Sequence, residues 1–363
     1  MEKRRFYGVD IIKVLCAVMI VCLHTDVLSS FNPQINSLFV NCICRVAVPF
    51  FFVASGFFLF CKMSLDNLNF LYIKKYLKRI LKLYLLWSLV YFPFTALKMI
   101  TSEKEAALKI FLSWLKNMVF SAGYGFLWYL PATIVAILIV TLLLKSGVKI
   151  NGVLVIGFVL YCIGLCGQSY FGLVKQIPHT KEFENVVKTV YDFIVTTRNG
   201  VFEGVIFIAL GAKISQQKNK QGLKAEKELT PKNGLKTSVI GLAVSFVLLV
   251  FEFFIVSKME WRLEYDMYMF LIPAAYFLFK TALNINIKVN DFNIKYLKLL
   301  RPYSSLIYFI HMIFIEFYCI LTRVKYTNSL LMFLIGFIPT VIVATLIIAL
   351  SKNEHFKFLK NFY

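Results

Sequence analysis

Three ionisable residues stand inside the first apolar run of the chain, from Gly8 to Thr25: Asp10, Lys13 and His24. An ionisable side chain in a membrane-spanning helix is costly to bury, so it faces a bundle interior or a wet cavity and marks a candidate functional position. Histidine titrates near neutrality, which gives His24 the chemistry of a general base or a nucleophilic carrier. A hydrogen-bonded core position suits it equally. Lys13 precedes His24 by eleven residues, roughly 16 Å along a helix and about half the hydrocarbon thickness. One span thus carries a cation towards one membrane face and an imidazole towards the other. Asp10 and Lys13, three residues apart, can pair on one helical face. The next apolar run, Ser37 to Phe60, holds Arg45. The connection from Asp26 to Leu38 is short and contains Pro33, so the two runs are expected to form an antiparallel hairpin with Arg45 at the depth of His24. A buried guanidinium needs an anionic or carbonyl partner; a substrate carboxylate, a thioester oxygen or Asp10 would serve.

The elements that must position these residues are membrane helices. The chain has 363 residues, of which 59% are apolar, and its mean hydropathy is +0.73. Apolar runs long enough to span recur along its whole length, and the alternation of a β-barrel is absent, which predicts an all-α, polytopic integral membrane protein. About ten spans are expected, near 10–28, 38–60, 77–97, 126–145, 150–170, 199–215, 236–257, 267–283, 303–322 and 328–350. With both termini cytoplasmic, the inner segments carry about twice as many Lys and Arg as the outer ones, the orientation that positive charge favours. The net charge of +21 then belongs to loops facing anionic lipid headgroups, and nucleic acid is not an expected partner. MEKRR before the first span is not followed by a small-residue cleavage site, so that span is read as retained. The whole of 1–363 reads as a single membrane domain, with a polar, basic cytoplasmic linker over 213–236 and a short basic tail over 351–363.

Other chemistry-bearing residues are scattered along the chain. Lys75, Lys78, Arg79 and Lys82 recur at helical spacing and share one face, with Lys74 beside them; a snorkelling anchor at the cytoplasmic interface and a phosphate site are both open readings. Pro49 can kink the second span and loosen a backbone carbonyl. Arg198 opens the sixth span and Glu203 lies one turn in. His311 and Glu316 fall in the ninth. AALKIFLSWLKNMVF is amphipathic and too charged to span. Lys258, Glu260, Arg262, Glu264 and Asp266 read as a solvated ion-pair face, and His179 as an exposed loop histidine. The eight cysteines lack the spacing of a zinc site and read as small buried hydrophobes. Walker A, GxSxG, HExxH and GxGxxG motifs are missing.

Asp10-x2-Lys13-x10-His24, followed by RVAVPFFFVASGFF (Arg45 to Phe58), resembles the acyltransferase-3 family of integral membrane acyltransferases, as do FLWYLPA (Phe126 to Ala132) and SLIYFIHMIF (Ser305 to Phe314). The resemblance spans nearly the whole chain. It departs from the family pattern in two places: Lys13 stands where arginine is usual, and Lys82 where proline is usual. Within that family, LYIKKYLK, IGLCGQSYFGLVKQIP, TTRNGVF and FIALGAKI resemble the membrane domain of VanT-type serine/alanine racemases. Those proteins add a cytoplasmic pyridoxal-phosphate racemase domain; the sequence ends at Tyr363 before one, so neither racemase activity nor pyridoxal phosphate is expected.

The resemblance implies a membrane-embedded O-acyltransferase that moves an acyl group, acetyl above all, from cytoplasmic acyl-CoA to a cell-surface glycan or small-molecule acceptor. It implies His24 and Arg45 as catalytic residues. Lys13, Lys75, Lys78 and Arg79 would bind acyl-CoA, the donor substrate, with Asp10, Arg198, Glu203 and His311 in support. No metal is expected. The setting is the plasma membrane, with a separate racemase or glycan-synthesis protein as a candidate partner. Because the VanT-type membrane domain is regarded as a candidate serine importer, a small amino-acid transporter is the alternative.

Overall fold

The computed structural model describes residues 6–120, 122, 124–176, 178, 196–224, 234–290, 292–323 and 329–363. The initial MEKRR, His179 and the centre of the expected linker lie outside the described residues. Among those described there is no β-strand, and each of the ten expected spans lies on a helix. Among the described residues, seven helices are long and apolar enough to cross a membrane: Tyr7–Thr25, Pro33–Phe60, Phe70–Leu97, Gly125–Lys145, Gly234–Lys258, Ile294–Thr322 and Leu330–Leu350. The other three expected spans are shorter or more polar. Ile150–Cys166 has 17 residues; Leu271–Asn284 has 14, a rise of ~21 Å against a hydrocarbon core of ~30 Å; Val205–Lys224 ends in a polar, basic half. The protein is a multi-pass, all-helical membrane protein.

Among the described residues the α-helices are, in chain order, α1 (Tyr7–Thr25), α2 (Pro33–Leu38), α3 (Ala47–Phe60), α4 (Phe70–Ile100), α5 (Lys104–Phe120), α6 (Tyr129–Lys145), α7 (Ile150–Cys166), α8 (Phe171–Lys175), α9 (Val205–Lys224), α10 (Gly234–Lys258), α11 (Leu271–Asn284), α12 (Ile294–Leu297), α13 (Leu300–Thr322) and α14 (Ser329–Leu350). They fall into two compact units. The first comprises residues 1–51, 231–250 and 273–363, the second 52–230 and 251–272. Of the segment expected as a linker, 213–224 continues α9 and 234–236 begins α10.

In the first unit, α1 packs against α13 and α14. Ala17, Val21 and Ile307 form one apolar cluster, lined by Val14, Phe51, Tyr303, Phe333 and Phe337. The turn after α1 is closed by side chains rather than by glycine. Asp26 ends the helix with φ 47°, and the amide of buried Asn36 donates to its carboxylate at 3.1 Å. Asn36 Oδ1 in turn accepts from the Leu28 N–H at 3.0 Å. Asn32 caps α2 by accepting from the N–H groups of Gln34 and Ile35, with Pro33 at the first position, where its missing donor costs nothing.

The second span is not a regular helix. A π-helical turn over Phe39–Ile43 runs into a 3₁₀ turn over Cys44–Val46 before α3 begins at Ala47. Pro49 has no N–H to offer the carbonyl of Arg45 four residues earlier, so the ladder loosens just ahead of it.

In the second unit, α3 and α9 touch backbone to backbone. A Cβ on Gly56 would collide with the backbone of Ile208, and one on Gly211 with the carbonyl of Val53; small residues permit such close crossings where lipid removes the usual hydrophobic drive. Ser55 of α3 shares a 2.7 Å hydrogen bond with Tyr129 of α6. The amphipathic stretch expected after the third span is α5, which lies along α4: the Tyr84 hydroxyl donates to the Met118 carbonyl at 2.9 Å, and the Phe92 and Trp114 rings lie 5.0 Å apart.

Candidate functional site

The first unit brings together two residues that the sequence kept far apart. His24, in the last turn of α1, stands with its ring centroid 5.5 Å from that of His311 on α13, the planes tilted by 30°. His311 is fully buried, and its Nδ1 lies 3.0 Å from the Ile307 carbonyl. A carbonyl can only accept, so Nδ1 carries the proton and Nε2 of a neutral His311 holds the lone pair. Gly336 of α14 faces Ile315, one turn along α13 from His311, which allows the two helices to close tightly on this level.

Arg45 sits half-buried at the joint between the π and 3₁₀ turns. Its Nη2 donates to Asn41 Oδ1 at 3.2 Å, and the Asn41 amide reaches the Ser37 hydroxyl at 3.4 Å. Ser37, Asn41 and Arg45 therefore form a polar line along one helix. Cys44, next to Arg45, shares an apolar cluster with Cys22, two residues before His24. The hairpin expected from spacing thus brings Cys22 and Cys44, sequence neighbours of His24 and Arg45, into one cluster. Asp10 and Lys13 lie half-buried on α1. Cys16, Cys22, Cys42 and Cys44 are buried and take part in no disulfide among the described residues. No group of three or more His, Cys, Asp or Glu residues among those described could hold a metal ion.

The second unit holds the remaining candidates. Lys75, Lys78 and Arg79 are exposed on α4, together with Lys74 and Lys82. Asn69 caps that helix by accepting from the Tyr72 N–H at 2.9 Å, so the basic run belongs to the helix itself and its cations share a face. Glu203 is buried within a π turn over Gly200–Gly204, whose start is capped by Asn199 Oδ1 accepting from the N–H groups of Val201 and Phe202. Arg198 forms an ion pair with Asp266 at 2.8 Å, its guanidinium carbon 4.9 Å over the Trp128 ring. Asp266 was expected on a solvated face; instead its side chain is only 10% exposed, because a distant loop supplies its cation.

Glu252 has a structural part that spacing did not reveal. It accepts from the Tyr170 hydroxyl at 2.7 Å and from the N–H groups of Met269 and Phe270 at 2.7 and 2.9 Å, fixing the approach to α11. Burial, and then the Glu252 carboxylate, push the Tyr170 hydroxyl above its ordinary pKa.

Residues 6–349 match the acyltransferase-3 family, described as an acyltransferase domain. The chain belongs to that family. This acyltransferase-3 member is also similar to curated proteins with another name. It is 31% identical over 361 residues to an "Amino-acid racemase" of Enterococcus faecalis, a match covering 97% of this chain and 47% of the relative. A second "Amino-acid racemase" of Enterococcus faecalis is 30% identical over 285 residues, 78% of this chain and 37% of the relative. A "Serine/alanine racemase" of Enterococcus gallinarum is 30% identical over 279 residues, 76% of this chain and 37% of the relative. The acyltransferase-3 chain thus spans less than half the length of these relatives. No solved structure matches it.

Proposed function

We propose that this chain is a membrane-embedded O-acyltransferase that moves an acetyl group from cytoplasmic acetyl-CoA to a hydroxyl of a cell-surface glycan or another outer-face acceptor. The observation that carries the reading is the placement of His24 against buried His311 in a member of an acyltransferase family.

In this mechanism His24 accepts the proton of the acceptor hydroxyl as its oxygen attacks the thioester carbonyl. Arg45 neutralises the charge that develops on the carbonyl oxygen. The carbon–sulfur bond then breaks, and the proton passes from the His24 imidazolium to the leaving CoA thiolate. His311, its Nδ1–H committed to Ile307, supports the His24 ring with an apolar-buried neighbour of defined tautomer. Lys75, Lys78 and Arg79 offer exposed cations that fit the phosphates of CoA. Lys13, with Asp10 to orient it, offers a further cation within α1, and Arg198 and Glu203 have supporting parts.

The test is release of free CoA from acetyl-CoA by the purified protein in lipid. The wild type is expected to release it, and His24→Ala and Arg45→Ala to lose at least 100-fold in rate, the scale of a single proton-transfer or oxyanion contribution. Full rate in His24→Ala removes the mechanism.

A second reading is favoured by the racemase names of the relatives: a transporter for a small amino acid such as serine, with Arg45 meeting its carboxylate. Serine uptake into proteoliposomes without any acyl-CoA supports that reading; no uptake beside active CoA release rejects it.

A further inference from the structure

The ion pair of Arg198 and Asp266 belongs to a polar site in the second unit that takes no proton-transfer or bond-breaking step in the acyl-transfer chemistry above, where Arg198 has only a supporting part. Thr196 Oγ1 is its hub. It accepts from the Gln168 side-chain amide at 3.2 Å and from the Arg198 backbone N–H at 3.1 Å, which fixes the Gln168 side chain beside Arg198. The neighbouring Thr197 hydroxyl donates to the Gly164 carbonyl at 2.9 Å, tying the same segment to the end of α7. Arg198 spends Nη1 on Asp266 and lays its guanidinium over Trp128. Two polar atoms of the cluster are buried and without a hydrogen-bond partner among the described residues: Gln168 Oε1, an acceptor, and Arg198 Nε, a donor. Gln168 is 1% exposed, so its orphaned oxygen carries the full cost of an unsatisfied buried acceptor unless a bound group supplies a proton. Arg198, with a side chain 30% exposed, leaves the cluster open to a ligand.

We propose that Gln168 and Arg198 form a binding subsite for a neutral hydroxyl group of a sugar or polyol, in effect a recognition site for the acceptor. A hydroxyl both donates and accepts, so one such group satisfies Gln168 Oε1 and Arg198 Nε together. A carboxylate satisfies neither demand well: it has no proton for Gln168 Oε1, and Asp266 already neutralises the guanidinium. Trp128 beside the site adds an aromatic surface of the kind that apolar sugar faces cover. The inference rests on the transferase reading for its choice of a hydroxyl-bearing acceptor over an amino acid, but the binding it asserts needs no acyl-CoA.

The test uses the full chain in lipid nanodiscs, free of sugar detergents, with methyl β-D-glucopyranoside as the hydroxyl probe and L-alanine, which has no hydroxyl, as the amino-acid probe. Thermal melting is followed against probe concentration. The glucoside is expected to raise the wild-type midpoint in a saturable manner, and alanine to leave it unchanged. Gln168→Leu, which removes the acceptor, and Arg198→Lys, which keeps the charge for Asp266 but not Nε, are each expected to weaken glucoside binding at least tenfold. Gln168→Glu, which keeps the acceptor oxygen, is expected to bind within threefold of wild type. If Gln168→Leu does not fold, Arg198→Lys carries the same comparison. No glucoside shift in the wild type, an equal shift in Arg198→Lys, or a shift with alanine alone overturns the proposal. Glucoside binding through Gln168 in a protein that releases no CoA would instead sink the transferase reading and leave the subsite standing.

Discussion

At the scale of the residue, the two histidines differ in what they can exchange. His311 has no exposure and one ring nitrogen committed to a backbone carbonyl, whereas His24 is only half-buried and therefore the one that a substrate can reach. His311 thus acts as a positioning residue in the proposed reaction. His311→Asn keeps an N–H donor near the Ile307 carbonyl but removes the ring beside His24, and is expected to slow CoA release about 10²-fold while shifting its pH profile and leaving the melting midpoint nearly unchanged. His311→Ala leaves a cavity in the core of α13 and is expected to lower both. An Asn variant as active as wild type, with an unchanged pH profile, would reduce His311 to packing. Both histidines were legible as ionisable residues in apolar runs. Their contact was not, because helical periodicity ranks the faces of one helix and says nothing about which helix lies next to it. The same limit misassigned Asp266: local charge spacing placed it with its loop neighbours, and only the fold delivers Arg198.

At the scale of the element, irregular turns carry Arg45 and Glu203. Arg45 follows a π turn ahead of Pro49, and Glu203 lies in a π turn ahead of α9; such turns expose backbone that a regular helix would pair internally, and they recur at functional positions. Pro49 made the first of these legible. The second has no proline; Gly200 and Gly204 permit it, with Gly200 approaching the Ala132 carbonyl too closely for any Cβ. The contact of α3 with α9 depends on the same economy of volume. Gly56→Val or Gly211→Val inserts a branched side chain against backbone that cannot rotate away, at a cost of about 3 kcal/mol. Either variant is expected to melt well below wild type and to express poorly. By contrast Gly125→Ala, where nothing lies within 4 Å of an added Cβ, is expected to melt with wild type. Equal melting of all three variants would show that the α3–α9 contact does not govern stability.

At the scale of the whole molecule, exposed cations are spread over many elements, and α4 gathers five of them, Lys74, Lys75, Lys78, Arg79 and Lys82, into one run. Lys75, Lys78 and Arg79 are exposed together, so their effect on an anionic donor is long-ranged and sensitive to salt. Replacing all three with glutamine is expected to raise KM for acetyl-CoA about tenfold with little change in kcat, since each exposed charge contributes ~0.5 kcal/mol. Raising the salt to 1 M, where the screening length falls to ~3 Å, is expected to erase most of the difference. An unchanged KM at low salt would assign the stripe to lipid headgroups alone. The family match covers 6–349, and the racemase names belong to relatives of which this chain spans less than half.

Hydropathy, charge placement and a few prolines were enough to determine an all-α multi-pass protein, because a bilayer forces each backbone polar group to be satisfied within its own segment and therefore writes each span into consecutive residues. His24 and Arg45 stood out by the same rule, since a charge inside an apolar run is conspicuous there; the α4 cations stood out by their helical spacing. What the tertiary structure alone decided is every pairing between distant segments: His24 with His311, Arg198 with Asp266 and Trp128, Glu252 with the amides before α11. Those contacts depend on which helices lie side by side, and helices in lipid choose their neighbours by close fit at small residues and by buried polar groups, features that no single stretch of sequence contains.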